Sequence, residues 1–313
     1  MVANKDGERL PDWRELGRRL SNWGRWGPED QLGTRNLITP QCVQAAAGLI
    51  RRGAVFDLGI PLDETGPQTG EGRGNPVRLM SVLHGKSGGY GAGRYNDDYT
   101  FMPLQAGTQW DALSHMYYDD LMYNGFPSSA VDSKGAHRLG IETQAKGIVG
   151  RGVLLDLAEH AGVDWIEPSR VIMPEDLDAV AAHQGVEVRS GDIVLIRTGW
   201  RRKFLREGDG RAFLAEEPGI GLECCAWLKE HDVAAVASDN WAVEAIPFQT
   251  SDEVFPVHMV TIRDMGLLLG EMFDLEELSA DCARDGVYEF LLSAPVLKFT
   301  RAVGSPINPL AIK

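Results

Sequence analysis

The sequence is poor in the features that mark several large classes of protein. Only four of its 313 residues are cysteine, and no two of them have CxxC spacing, so neither a disulfide framework nor a zinc ribbon is expected. Its 31 basic residues are outnumbered by 45 acidic ones, for a formal charge of −14. This balance argues against nucleic-acid binding and against an electrostatic membrane anchor.

Long apolar runs are also missing. The most apolar run, residues 265–269, is far too short to cross a bilayer. The first residues, MVANKDGERLPDW, lack the apolar stretch of a signal peptide. We therefore expect a cytoplasmic protein.

The pattern of apolar residues indicates the fold class. Apolar residues make up 43% and charged residues 24% of the chain, which is typical of a globular protein with a large core. Apolar segments alternate with segments of helical periodicity, which favours an α/β architecture with a mixed sheet. Strands are predicted at 54–60, 77–85, 99–105, 152–158, 192–200 and 233–240. Helices are predicted at 9–23, 40–52, 174–185, 221–232 and 274–286.

The domain organisation is predicted to be simple. No clean linker divides the chain, so we predict a single catalytic domain over residues 35–313. It is preceded by an arm over residues 1–34, which contains a helix and two tryptophans, Trp23 and Trp26.

One glycine-rich segment imitates two catalytic motifs. Residues 85–89 fit the GxSxG pattern of a nucleophile elbow, and Asp239 and His258 follow in the order that an α/β-hydrolase requires. An elbow must run directly into a helix, whereas the next residues here are Tyr-Gly-Ala-Gly, which are poor helix formers. The segment also lacks the upstream glycine of a Walker A loop, and no GxGxxG pattern fits. We predict a loop over residues 85–98 and no nucleotide cofactor.

The most informative segment is 105–115, QAGTQWDALSH. In a strand, a period of two places Gln109 and Asp111 on one face, and a bend at the intervening glycine could bring Gln105 to the same place. If a helix begins at Asp111, His115 lies on the same side of its first turn. An imidazole titrates near neutral pH without help, so His115 and Asp111 are our catalytic candidates.

This segment resembles the HxGTHxDxxxH motif of the cyclase family, which includes bacterial kynurenine formamidases and isatin hydrolases. In that motif the first two histidines and the aspartate bind a divalent metal, usually zinc or manganese, and the last histidine transfers protons. Here it reads QxGTQxDxxxH. The family's remaining ligands, a histidine and a later glutamate, look like His258 and Glu271. The resemblance thus implies a ligand set of Gln105, Gln109, Asp111, His258 and Glu271.

The same resemblance implies the fold and the assembly. It covers roughly residues 35–300 and includes the stretches FDLGIPLDE and GDIVLIRTGW. It implies a swivelling β/β/α fold, with a mixed β-sheet core, helices outside and an N-terminal arm. It also implies a homodimer or homotetramer in which such arms reach a neighbour's site.

The two glutamines leave the role of a metal open. An amide oxygen is a neutral, hard ligand and suits zinc less than imidazole does, which shifts preference towards manganese, magnesium or calcium. Alternatively, no metal is needed, because two glutamine amides aimed at a carbonyl oxygen would form an oxyanion hole. We expect a divalent metal, manganese or zinc, because Asp111, His258 and Glu271 remain in place.

These residues predict a hydrolase acting on a small molecule. Water would attack the planar carbonyl carbon of a cyclic or N-acyl amide, an ester or a lactone, and His115 would move the proton. Two alternatives stay open: a lyase, dehydratase or cyclising enzyme on the same site, and a non-catalytic ligand-binding protein that has lost its metal. The arm and the loop would close over the substrate. The substrate-binding candidates are Trp23, Trp26, His84, Tyr90 and Asp239.

Several candidates also have a purely structural interpretation. His115 and His258 could be packed histidines, and Glu271 could pair with Arg263 on the surface. Asp239 could cap a helix instead of lining a pocket. His84, His137, His160, His183 and His231 have no polar residues near them in the sequence at the spacing of metal ligands.

Overall fold

A curled sheet of nine strands, drawn from the residues that the structure describes, forms the centre of the molecule. The structure is a computed structural model and describes residues 12–86, 91–250 and 253–313. The strands are β1 Val55–Asp57, β2 Val77–Lys86, β3 Arg94–Phe101, β4 Gln109–Asp111, β5 Val131–Asp132, β6 Gly135–Ala136, β7 Val149–Asp156, β8 Val171–Ile172, β9 Ile193–Arg197, β10 Gly219–Ile220, β11 Ala235–Ser238, β12 Leu268–Glu271, β13 Glu289–Ser293, β14 Gly304–Pro306 and β15 Leu310–Ile312.

Helices lie outside this sheet. They are α1 Trp13–Leu20, α2 Pro40–Ala47, α3 Leu157–His160, α4 Pro174–Gln184, α5 Trp200–Glu207, α6 Gly210–Ala215, α7 Glu223–Glu230, α8 Pro256–His258 and α9 Glu276–Asp285. A π-helix, Met259–Met265, directly continues α8, and short 3₁₀ helices occupy Gly33–Leu37, Tyr123–Gly125, Ser128–Ala130 and Ile141–Gln144. Within the described ranges, no helix has the length and apolar composition needed to cross a membrane.

The order of the strands explains the mixed character of the sheet. The order is β1-β15-β13-β7-β9-β11-β12-β4-β14. The central strands β7, β9, β11 and β12 are parallel, and both flanks are antiparallel. Every residue of β9 and β11 is buried, as expected for parallel strands that are covered on both faces. The predicted mixed-sheet α/β fold is confirmed.

The N-terminal helix joins the main core. Asp12 caps α1, because its side-chain oxygen accepts hydrogen bonds from the backbone N–H groups of Arg14 and Glu15. The apolar face of α1, which includes Trp13 and Leu16, belongs to the same buried cluster as the central strands. The boundary at residue 34 stays a prediction.

Strands β2 and β3 form an antiparallel hairpin that lies outside the main sheet. Almost every residue of both strands is exposed. Residues 85–86 belong to β2 and residues 94–98 to β3, so the predicted loop over 85–98 is wrong for those parts. Residues 87–90 lie outside the described residues. The strand predicted at 99–105 ends at Phe101. A hairpin exposed on both faces carries no hydrophobic alternation, which is why the first part of its second strand, residues 94–98, could not be predicted.

Most other predicted elements are present. Helices occur within the ranges predicted around 174–185, 221–232 and 274–286. Helix α2 begins as predicted, with the Thr39 side chain accepting from the Cys42 N–H, but it ends at Ala47 rather than near residue 52. Its end coincides with Gly48.

Candidate functional site

Strand β4 places two of the predicted site residues on one face of the sheet. Gln109 lies opposite Glu271 in the neighbouring strand β12, and Asp111 lies opposite Gly304 in β14. Directly opposed residues project their side chains to the same face, so the side chains of Gln109, Asp111 and Glu271 share one face. Trp110 points to the other face, where it is fully buried and donates its indole N–H to the carbonyl of Ala294. The period-two prediction is confirmed for this strand.

The helix formed by α8 and the π-helix brings His258 to the same face. The sharp entry to this helix is at Phe255, whose φ is 57°. Glu244 then fixes both the helix start and the imidazole: its carboxylate accepts the Val257 and His258 backbone N–H groups and lies 2.6 Å from His258 Nδ1. The other ring nitrogen, Nε2, therefore faces Glu271 at 3.3 Å and Asp111 at 3.9 Å.

Asp111, His258 and Glu271 form a buried cluster with the geometry of a cation site. Their potential ligand atoms all lie within 4.8 Å of one another, and each side chain is no more than 6% exposed. Burial, and then the Asp111 carboxylate, raises the pKa of Glu271. For His258, burial opposes the charged form, but hydrogen bonds to Glu244 and Glu271 outweigh it and raise the pKa. Two carboxylates forced together away from water call for a positive partner.

Gln109 fills part of this need in an unexpected way. Its amide nitrogen donates to Glu271 Oε2 at 2.5 Å and lies 3.4 Å from Asp111 Oδ1. Its amide N–H groups therefore stand between the two carboxylates. Gln109 Oε1 and Asp111 Oδ2 are buried without a hydrogen-bond partner in the described structure. Turning the amide over would add Oε1 to the oxygen atoms that could face a cation, so the residues present fit a divalent metal.

Gln105 lies on the same face but has different surroundings. Gly304, which pairs with Asp111, has no side chain, and a Cβ there would lie 2.4 Å from the Gln105 amide nitrogen. The close packing of the Gln105 amide against Gly304 therefore depends on that glycine. Its amide nitrogen is buried and has no acceptor among the described residues.

His115 reaches the cluster from a turn, not from a helix. The His115 N–H donates to the Ala112 carbonyl, and no helix begins at Asp111, so the condition on which His115 was placed beside Asp111 is not met. The turn still brings His115 Nε2 to 3.9 Å from Asp111 Oδ1, with the side chain 18% exposed. Burial lowers the pKa of His115, and the Asp111 charge offsets only part of that effect. His115 is therefore neutral near pH 7 and able to accept a proton.

A small cavity of about 110 Å³ opens onto this cluster. His115, His258 and Glu271 form its polar wall, and aromatic or apolar side chains form much of the rest. The other lining residues are Arg73, Met116, Trp241, Ala242 and Phe255. A larger groove of about 460 Å³ lies elsewhere, between residues 57–62 and 295–308, but Asp57 is the one titratable residue in its described lining. The chemistry is concentrated in the smaller cavity.

Comparison with known proteins shows which family has this fold. The Cyclase family model, described as "Putative cyclase", matches residues 56–245, more than half of the chain. A solved structure of a novel cyclase is 41% identical, covers 95% of this chain and 99% of its own, and superposes with a TM-score of 0.89. The chain belongs to the cyclase family. Within this family it departs from the HxGTHxDxxxH motif at Gln105 and Gln109.

More distant solved structures share the fold. Isatin hydrolase A from Ralstonia solanacearum is 22% identical, with a TM-score of 0.63 over 88% of this chain and 98% of its own. A "predicted metal-dependent hydrolase" from Bacillus stearothermophilus is 18% identical, with a TM-score of 0.52 over 83% of this chain and 98% of its own. No curated protein matches the sequence.

Four of the substrate-binding candidates, Trp23, Trp26, His84 and Asp239, are not among the described residues that line the cavity. The Trp23 indole donates to the Arg263 carbonyl, and Arg25 packs over the ring of Trp26. His84 lies on the exposed hairpin, and Tyr90 lies outside the described residues. Any contact of Trp23 or Trp26 with substrate would require a second subunit and stays a prediction.

Asp239 has the structural role that the sequence left open. It is fully buried and accepts hydrogen bonds from the Thr198 N–H, the Thr198 hydroxyl and the Gly199 N–H, just before α5. Glu271 contacts Gln109 and His258, and Arg263 instead pairs with Asp264.

Sequence reasoning missed three residues around the site. Glu244 orients His258, and Arg73 lines the cavity. Glu217 is fully buried and accepts the backbone N–H groups of Trp241 and Ala242, which holds that wall of the cavity in place. Burial raises the pKa of Glu217 well above its ordinary value. Glu244 lies at the end of the segment DNWAVE, which follows a predicted strand, but nothing in that segment indicates that Glu244 pairs with His258.

Proposed function

We propose that this protein is a hydrolase that cleaves a carbonyl C–N or C–O bond in a cyclic or N-acyl amide, an ester or a lactone. The observation that carries this proposal is the placement of neutral His115 beside the buried cluster of Asp111, His258 and Glu271 at one cavity. The fold shared with an isatin hydrolase and with the "predicted metal-dependent hydrolase" supports it.

The cluster would hold a divalent cation through Asp111, His258 and Glu271, with Gln109 contributing Oε1. When bound, the cation would polarise a carbonyl oxygen or lower the pKa of a water molecule. We propose manganese before zinc, because oxygen atoms outnumber nitrogen in this donor set. Glu244 serves as a positioning residue, since it holds His258 Nδ1 and leaves Nε2 free for the cluster.

His115 would move the proton. Its neutral imidazole accepts a proton from the attacking water as the new C–O bond forms, and then returns it to the leaving nitrogen or oxygen as the C–N or C–O bond breaks. The products are a carboxylic acid and an amine or alcohol, joined in one molecule when the substrate is cyclic. The ring centres of Trp241 and Phe255 are 5.9 Å apart, and the two rings would hold a planar substrate against the polar wall.

We also propose that the protein is a homodimer or homotetramer, in which a second copy covers the β2–β3 hairpin. A two-stranded hairpin is marginally stable alone in water. Seven large apolar side chains of this hairpin are between 42% and 79% exposed: Val77, Leu79, Met80, Leu83, Tyr95, Tyr99 and Phe101. Together they offer several hundred Å², comparable to the ~800 Å² that each partner of a standard interface buries.

The proposed compartment is the cytoplasm. The four cysteines, Cys42, Cys224, Cys225 and Cys282, are all free thiols. A protein of the cytosol keeps its thiols reduced.

The decisive experiment measures both the turnover and the metal content of the same protein preparation. Untagged protein would be incubated with a panel of cyclic amides, N-formyl amides, esters and lactones, and the products weighed by mass spectrometry. Hydrolysis adds the mass of one water, whereas a lyase or dehydratase does not. Elemental mass spectrometry should find near-stoichiometric manganese or zinc in the wild type and none in Asp111→Ala.

The control variant is His115→Ala, which should keep its circular dichroism spectrum and lose turnover. Products that lack the added mass of one water would show that the reaction is an elimination or a cyclisation and not a hydrolysis. Full turnover by a folded His115→Ala would remove the proton-transfer role.

A further inference from the structure

Apart from His115 and His258, Arg73 is the one basic side chain among the described residues that line the cavity. Its guanidinium lies 5.9 Å from the centre of the Trp241 ring. In residues 12–86, 91–250 and 253–313, no carboxylate lies within ion-pair distance of it, and its side chain takes part in no hydrogen bond. A half-buried arginine with five N–H donors therefore lines the cavity with none of those donors engaged by a described carboxylate.

Trp241 provides a second donor without an acceptor. Its indole nitrogen is buried and has no hydrogen-bond partner among the described residues, although a buried indole N–H normally finds one. The ring itself is fixed, because Glu217 holds the Trp241 backbone N–H and Phe255 packs against the ring. Arg73 and Trp241 both line the cavity and both have donors that lack acceptors, which points to a ligand that supplies oxygen atoms.

The charge of the surroundings narrows the chemical class of the ligand further. The chain carries a formal charge of −14, and the cavity wall contains Glu271 with Asp111 behind it. An anionic ligand would be repelled there unless a fixed cation balanced it. Arg73 supplies that charge, and its guanidinium matches the planar geometry of a carboxylate.

We propose that Arg73 and the indole N–H of Trp241 bind an anionic group of the substrate, so that the preferred substrates are planar carbonyl compounds carrying a carboxylate. The substrate class rests on the proposed hydrolase function, but the anion-binding site does not. Trp241 and Phe255 hold the planar part, and Arg73 holds the anion.

The test compares two probes of nearly equal size and different charge, benzoate and benzamide, by isothermal titration calorimetry on the protein as isolated. Benzoate should bind wild type roughly tenfold more tightly, the effect of one charge-assisted contact in a half-exposed site. Arg73→Gln should remove this preference, and Arg73→Lys, which keeps the charge without the planar fork, should keep part of it. Trp241→Phe should weaken benzoate more than benzamide.

Each control separates this site from its neighbours. Thermal unfolding should show that Arg73→Gln folds like the wild type, because the side chain is only half-buried. If Arg73→Gln keeps the benzoate preference and a chelator abolishes it, benzoate binds a cation in the cluster and the inference is wrong. Wild type without any preference would also overturn it. Absence of hydrolysis with every substrate would leave the binding result intact and refute only the proposed function.

Discussion

Replacing Gln109 by glutamate tests the central electrostatic feature of the site. The wild-type amide N–H groups stand between Glu271 and Asp111, 2.5 Å and 3.4 Å from their oxygens, in a residue that is fully buried. Gln109→Glu replaces these neutral donors with a third carboxylate of the same shape. Without a cation, the variant should lose about 3–5 kcal/mol of unfolding free energy, the usual cost of an unpaired buried charge.

A bound cation should reverse most of this loss. Three carboxylates offer a stronger site for manganese than two carboxylates and an amide. Manganese at about 100 times its dissociation constant stabilises the folded state by roughly 2.7 kcal/mol. Urea unfolding in chelator and in manganese chloride measures both quantities. We expect manganese to stabilise Gln109→Glu more than it stabilises the wild type.

Gln144→Glu is the matched control. Gln144 is also buried, at 1% exposure, donates one hydrogen bond to the Gln31 carbonyl at 3.2 Å, and has an unpartnered amide oxygen. It should be destabilised to a similar degree in chelator and gain nothing from manganese. Equal stability of Gln109→Glu and wild type in chelator would show that residue 109 does not lie between the carboxylates. Equal rescue of both variants would mean that manganese acts elsewhere.

Three further predictions address proton transfer, stability and assembly. Because burial lowers the pKa of His115, turnover should rise with pH around a midpoint below about 6.5 and then level off, and a flat pH–rate profile would contradict its role as base. Arg197→Met should cost about 3–5 kcal/mol in urea unfolding, because it leaves the buried carboxylate of Asp156, 2.8 Å away, without its counter-ion; a loss under about 1 kcal/mol, as at an exposed pair, would refute this. Phe101→Asp combined with Leu83→Asp should convert the oligomer to monomer in light scattering, since both side chains are more than 60% exposed in one chain; a monomeric wild type would refute the proposed assembly.

Much of the site could be predicted because its information is local. The alternation of Gln109, Trp110 and Asp111 determined which side chains share a face, and the structure confirms it. His258 and Glu271 were predicted from family resemblance alone. The meeting of Glu271 with Asp111 depends on the pairing of β12 with β4, which no periodicity in either strand can indicate. His258 reaches Asp111 from α8, where Glu244 holds its imidazole.

The residues that were missed are those whose partners lie far away in the sequence. Glu244 is 14 residues from His258 and is separated from it by a segment with no regular pattern. Arg73 lies in an irregular stretch before the hairpin, and its guanidinium lies 5.9 Å from the centre of the Trp241 ring, which is far away in the sequence. The conditional helix at Asp111 does not form, and the structure shows a different route to the same place. A turn satisfies the His115 N–H at Ala112 and already brings the imidazole to the cluster.

The two glutamines that replace the family's histidines are not equivalent in the structure. The Gln109 amide N–H groups are directed at the carboxylates, so they cannot also donate to a substrate carbonyl. The Gln105 amide nitrogen, packed against Gly304 on the Asp111 face, has no acceptor among the described residues. An oxyanion hole made by both amides therefore does not fit the observed arrangement. The arrangement fits one glutamine at the carboxylates and the other as a donor to an oxygen. We infer that Gln109 belongs to the cation site, and that Gln105 is the glutamine with a donor left for an incoming oxygen.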